Sequence, residues 1–200
     1  MYNVELYIMI QNAENNGELI KVCGKYDINL NKNKINNNFI LDFSIENPNI
    51  NVYNIVNFSL YKLIADLNQD ILERIEIINI ISEDTECDLL FLFKPFSKEL
   101  GMSKKYMYIK TIKTIENNVI KFMSYDLDIS RLNVELPGYE KITSEVASLV
   151  IKILSHHSAK VTYEFNININ EDLPLYMQNM SGLMMKKLFY KLKTFIEMAK

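Results

Sequence analysis

Residues 160–174 read Lys160-Val-Thr-Tyr-Glu-Phe-Asn-Ile-Asn-Ile-Asn-Glu-Asp-Leu-Pro174, and a stretch rich in Met, Lys and Leu follows to Lys200. Val161, Tyr163, Phe165, Ile167 and Ile169 alternate with polar residues, the period of a strand with one face on a core. Asp172 stands where a helix N-cap belongs and Pro174 falls in the first turn. Beyond them Met177, Met180, Met184, Leu188, Leu192 and Phe195 share one helical face, which predicts a terminal helix of about 25 residues. A half-apolar strand running into a long amphipathic helix supplies both a sheet face to be covered and the element to cover it.

The rest of the chain fits that frame. Residues 139–154 and 159–170 read as a hairpin around Ser155-His-His-Ser-Ala159. Lys104–Thr114 and Val119–Asp128 form another around Ile115-Glu-Asn-Asn118, whose paired Asn tolerate left-handed backbone. Strand-like runs occupy 73–82 and 86–94, the second alternating Cys87, Leu89, Phe91 and Phe93 against Asp88 and Lys94. After Asn47-Pro48, the spacing of Val52, Ile55, Val56, Leu60, Leu63 and Leu67 predicts one helix over 50–67, capped by Asn49 or Asn51. Residues 19–28 and 34–46 read as strands around a polar turn, Asn29–Lys34. The order of strands, helix, antiparallel strands and long helix gives an α+β fold, read as one domain over 1–200, with one apolar and one polar face to each strand.

Composition and motifs narrow the function. Hydrophobic residues make up 48% of the chain and charged residues 24%, which excludes disorder, and the net charge of −3 offers no broad basic field to nucleic acid. Cys23 and Cys87 lack CxxC spacing and read as buried thiols. His156 and His157 fall in a hairpin turn, and Glu83, Asp84, Glu86 and Asp88 in another. GxSxG, P-loop and GxGxxG motifs are missing, so no catalytic residue, cofactor or metal is expected. Met1–Ile10 makes a poor signal peptide and no stretch approaches the roughly 18 apolar residues of a membrane span, so a soluble, cytoplasmic chain is expected. Met in the terminal helix reads first as core filler, and it also suits a wall that conforms to an apolar ligand. Ser181 and Gly182 suggest a place where that wall stands back from the sheet.

Three segments carry a further resemblance: Gly101-Met-Ser-Lys-Lys-Tyr-Met-Tyr-Ile-Lys110, Leu136-Pro-Gly-Tyr-Glu-Lys-Ile142, and Lys160–Ile169 followed by Leu173-Pro174. Their order and spacing resemble the START family of lipid-transfer domains, in the helix-grip superfamily, over about residues 16–198. The chain departs from the family in having Lys104 and Lys105 at the Arg-Asp positions and no Trp. The resemblance implies a helix-grip fold: a curved antiparallel sheet wrapped around the terminal helix, with an internal hydrophobic cavity opened by motion of that helix and of the loop Ile129–Pro137. It implies a lipid ligand, a phospholipid among the candidates, carried between membranes by a monomer that touches the bilayer transiently. Leu132, Val134 and Leu136 would either meet the membrane or tuck inward. The expected wall is Met177, Met180 and Met184 with Tyr106, Tyr108 and Phe122, and Lys104 is the expected partner of a polar head group. Two readings compete with a carrier. One is a cyclase- or hydrolase-like enzyme using Ser124 and Asp126 beside Phe122, and the other a protein-interaction module with a filled core.

Overall fold

In the computed structural model, residues 18–35, 38–81, 85–95, 102–132, 134–168 and 179–200 are described. Nine strands lie side by side in the order β1 (Leu19–Cys23), β2 (Ile28–Asn33), β3 (Phe39–Glu46), β11 (Ser158–Phe165), β10 (Ala147–Ser155), β7 (Val119–Asp126), β6 (Lys104–Glu116), β5 (Glu86–Phe93) and β4 (Leu72–Ile81). Every neighbour along this path is antiparallel. A tenth strand, β8 (Tyr139–Lys141), pairs in parallel with the start of β6. β9 (Thr143–Ser144) and β12 (Ile167–Asn168) make a separate short ladder. Helices α1 (Val52–Ile55) and α2 (Ser59–Leu67) cross over between β3 and β4, and α3 (Met180–Met198) packs on β2, β3, β12 and α2. The expected start of the last helix, around Asp172 and Pro174, lies outside the described residues.

Both hairpins form where the sequence places them, with turns at Asn117–Asn118, where Asn117 takes φ 52°, and at His156–His157. The polar turn expected at Asn29–Lys34 is instead mostly strand β2. Ile28 and Leu30 are fully buried on one face of it, and the chain reverses earlier, at Tyr26 and Asp27, with φ 63° and 54°. The asparagines between these apolar residues hid a period of two. The helix expected over 50–67 is two helices. Asn51 caps α1 by accepting the Tyr53 N–H at 3.1 Å. Asn57 then accepts the Ser59 N–H at 2.8 Å, so a second capping asparagine competes with the helical ladder and restarts it.

The expectation that each strand has one polar face fails for β5 and β6. Leu90, Leu92, Tyr106 and Tyr108 form a second buried cluster with Leu127 on the outer side of the sheet, roofed by Ile129, Leu132, Leu136 and Tyr139. The loop expected to gate the cavity therefore covers the opposite face. Its Leu132 and Leu136 tuck inward, and Val134 stays exposed. Asp88 reaches into this cluster and accepts a hydrogen bond from Tyr108 Oη at 3.3 Å. Cys87 is buried as expected, whereas Cys23 is only half-buried.

Two asparagines fasten α3. Asn47, fully buried at the end of β3, donates through Nδ2 to the carbonyls of Ile196 (2.5 Å) and Ala199 (2.8 Å), and its own carbonyl accepts the Asn49 N–H. It thus satisfies C-terminal helix carbonyls that have no partner within the helix. Asn68 donates to Ile64 O and Leu188 O, joining α2 to α3. At the surface Asp70 meets both Lys187 and Lys191 at 2.6 Å. These two ammonium groups hold its carboxyl down at about 2.

We expect Asn47→Ala to lower unfolding stability by about 2–3 kcal/mol, since buried carbonyls lose their donor, and to speed amide exchange in the last turn of α3; an unchanged chemical-denaturation midpoint would contradict this clamp. Asp70 acts in a different pH window. Its folded pKa lies below that of the unfolded chain, so its contribution is complete above the ordinary Asp range and is lost as pH falls from about 4 through 2. Because the side chains are largely in water, Asp70→Asn should cost about 0.5–1 kcal/mol at pH 7. That difference should be mostly lost by pH 2 and shrink in 1 M salt.

Candidate functional site: an apolar cavity under the terminal helix

Between the inner face of the sheet and the helices lies a cavity of about 80 Å³. Its floor is built by alternate residues of adjacent strands: Phe43 and Ile45 of β3, Val161 and Tyr163 of β11, Leu149 and Ile151 of β10, Phe122 and Ser124 of β7, Met107 and Ile109 of β6, and Phe91 and Phe93 of β5. Its roof comes from Val52 to Ile64 across α1 and α2, and from Met185, Leu188, Phe189, Leu192 and Ile196 of α3. Side chains two apart on a strand point the same way, so antiparallel register stacks these residues into continuous rows. One row is of small side chains, Cys87, Thr111, Ser124 and Ala147, paired across β5, β6, β7 and β10. Of this row, Ser124 lines the cavity.

Among the described residues no Asp, Glu, Lys, Arg or His contributes to the cavity lining. Its polar groups are few. Thr111 and Ser124 share a hydrogen bond at 3.0 Å, and the Tyr61 phenol sits within reach of both. Burial pushes the Tyr61 and Tyr163 hydroxyls well above the ordinary tyrosine range, so both stay protonated. Among the described residues no three His, Cys, Asp or Glu side chains converge as metal ligands would, and no helix is long and apolar enough to cross a bilayer.

The structure distributes the expected site residues over three places. Phe122 lines the cavity, packed edge-on against Phe58. Tyr106 and Tyr108 lie in the outer cluster, because in β6 it is Met107 and Ile109 that point inward. Lys104 follows the same parity as those tyrosines and sits at the surface, 3.0 Å from Glu73 and over the Tyr139 ring. Its neighbour Lys105 is the buried cation of the pair and meets Glu140 at 2.7 Å. On α3, Met180 and Met184 border an outer cleft with Asp70, Ile71, Lys94 and Pro95. Met185, one residue on, reaches the cavity. Met177 lies outside the described residues. Of the polar groups expected near Phe122, Ser124 lines the cavity and Asp126 pairs with Lys141 at 2.7 Å.

The fold is thus a curved antiparallel sheet closed over the last helix, with α1 and α2 crossing between the third and fourth strands. Superposed on solved structures, the chain aligns along its whole length with the human StarD13 (DLC2) lipid transfer and protein localization domain, at a TM-score of 0.71 and 8% identity, covering 100% of this chain and 99% of that one. The chain has the START fold. Human STARD10 aligns at 0.71 with 10% identity, covering 98% of this chain and 81% of its own. Human StAR-related lipid transfer protein 5 aligns at 0.70 with 11% identity, covering 97% and 91%. No family sequence model matches the chain and no curated protein matches it in sequence, so the START likeness is one of backbone.

Within this START fold Gly182 works against the expectation of a wall standing back. A Cβ there would lie 2.5 Å from the Phe39 ring, so the small residue brings the helix down onto β3. Gly182→Ala should therefore destabilise the protein by about 1–3 kcal/mol through overpacking, and Phe39→Leu in the same chain should recover part of the loss. A melting temperature unchanged by Gly182→Ala would refute the close approach.

Proposed function

We propose that this chain binds a lipid in the cavity under α3 and carries it between membranes as a monomer that touches the bilayer only to load and unload. The observation that carries the reading is an enclosed, almost wholly apolar hollow left inside an otherwise packed fold. At ~24 cal/mol per Å³, an unfilled hollow of this size costs on the order of 2 kcal/mol. A lipid chain recovers that cost and keeps its methylenes from water, each worth about 0.8 kcal/mol. The START backbone agrees with this, since the similar solved structures include lipid-transfer proteins by description. Among the described residues the lining is apolar side chains with a few neutral polar groups, a surface suited to holding a lipid chain, whereas acid–base catalysis needs a titratable group within hydrogen-bond reach of the reacting atoms.

The closed cavity is smaller than the ~300–1,000 Å³ pockets that enclose drug-sized ligands. Loading then involves parting α3 from α1 and α2, and a ligand enters by widening the trough. The small volume also favours a second reading, a protein-interaction module with a nearly filled core. Organic extraction of the purified protein followed by mass spectrometry separates the two. The carrier reading expects a co-purifying lipid near one per chain and transfer of a fluorescent lipid between vesicles. Met185→Trp, which fills the trough from the helix side, should reduce that transfer roughly tenfold or more, whereas Met184→Trp, facing the outer cleft, should leave it nearly intact. No lipid recovered and no transfer would leave the filled-core reading standing.

A further inference from the structure

Resting on the cavity reading, we infer that the ligand's polar end is a single uncharged hydrogen-bonding group, such as an alcohol, received inside the cavity by the hydroxyls of Tyr163, Tyr61 and Ser124. Tyr163 is the most informative of them. Its ring is enclosed by stacking on Phe165 at 4.7 Å and by Phe189 at 5.1 Å. Yet its hydroxyl makes no hydrogen bond among the described residues and is not among the sealed-off polar atoms, so it opens onto the space that the ring lines. A phenol hydroxyl held inside a protein without a partner is costly. A ligand hydroxyl, able both to donate and to accept, removes that cost.

The second group stands across the same space. Tyr61 projects from α2 over the row of small side chains, and the Thr111–Ser124 pair below it offers one more donor and several lone pairs. Together the Tyr163, Tyr61 and Ser124 hydroxyls, with Thr111 bonded behind Ser124, make a neutral polar group in an apolar lining. Nothing there compensates a charge. Among the described residues no ammonium or guanidinium lines the cavity. On β6, Lys105 is buried against Glu140 at 2.7 Å and Lys113 stands over the Phe58 ring at 6.0 Å, and neither lines the cavity. The two tyrosines are held protonated by burial, so they present neutral donors rather than anions. A carboxylate or phosphate at this depth would be desolvated with no counter-ion, which is strongly unfavourable. The pattern selects a neutral lipid over an ionised one.

Titration calorimetry of the intact, delipidated chain with decan-1-ol and with decanoate at pH 8, where the carboxyl is ionised, tests this directly. The alcohol should bind roughly tenfold or more tightly than the anion, because only the anion buries an unpaired charge. Tyr163→Phe should weaken decan-1-ol by about two- to tenfold, the worth of one hydrogen bond, and leave the affinity for decanoate unchanged. Decanoate binding as tightly as decan-1-ol would overturn the inference while leaving the cavity reading intact. Failure of both probes to bind would instead overturn the cavity reading and this inference with it. The comparison of the two probes needs no variant, so it stands even if Tyr163→Phe melts early. In a folded Tyr163→Phe protein, undiminished alcohol binding also counts against the inference.

Discussion

One helix cannot fill the trough it lies in. Nine strands at ~4.8 Å spacing are about 38 Å across, while a helix with its side chains is about 10–12 Å wide. Curvature narrows the difference without removing it. The sheet's inner face is apolar from β2 to β5 and has to be kept from water, so α1 and α2 are drawn in beside α3 to cover what α3 leaves open. Three convex cylinders on a concave floor still leave a gap between them. That gap is the cavity, and its place follows from the widths of the elements before any side chain is considered.

Side chains then decide how much of the gap survives. Phe43 and Phe122 from the floor and Phe189 from the roof narrow the space with their rings. Ser124, in register with Thr111 and Ala147, brings a hydroxyl to the cavity floor, and Tyr61 reaches toward it from above. Polar groups inside an apolar hollow reduce its affinity for plain hydrocarbon and raise it for a molecule that carries matching groups.

The sequence made the large elements legible because their periods are strong. The alternation of Val161, Tyr163 and Phe165, the Asn117–Asn118 turn and the amphipathic last helix all lead to the observed elements, and the START resemblance supplied their arrangement. Three kinds of feature were hidden. β2 was masked by asparagine, which weakens strand preference while the buried positions Ile28 and Leu30 keep the pattern. The break between α1 and α2 depends on the Asn57 side chain capping Ser59, a local competition that apolar spacing does not register. The outer cluster depends on a loop folding back over Leu90, Leu92, Tyr106 and Tyr108, so two-sided burial of β5 and β6 could not be read from either strand alone. That last point also misplaced the site: in a strand buried on both faces, Tyr106 and Tyr108 are as apolar as Met107 and Ile109, and periodicity cannot say which pair faces the helix. On α3 the error is one residue in register, Met184 for Met185, about 100° of helical rotation.

The ties on α3 differ in kind, and the difference ranks its contacts. At its C-terminal end Asn47 is buried and satisfies carbonyls that would otherwise lose their partners in the interior, which makes that end expensive to lift. At Gly182 the backbone is pressed onto Phe39, and separation there exposes a ring buried against Phe165 as well. Along the seam with α2 the ties are Asn68, whose bond to Leu188 O is long at 3.4 Å, and Asp70 with its two lysines in water. Exposed ion pairs of this sort contribute about 0–1 kcal/mol each, far less than burial of an aromatic ring. The boundary between α3 and α2 is therefore the weakest edge of the roof, and Leu60, Tyr61 and Ile64 line the cavity directly beneath it.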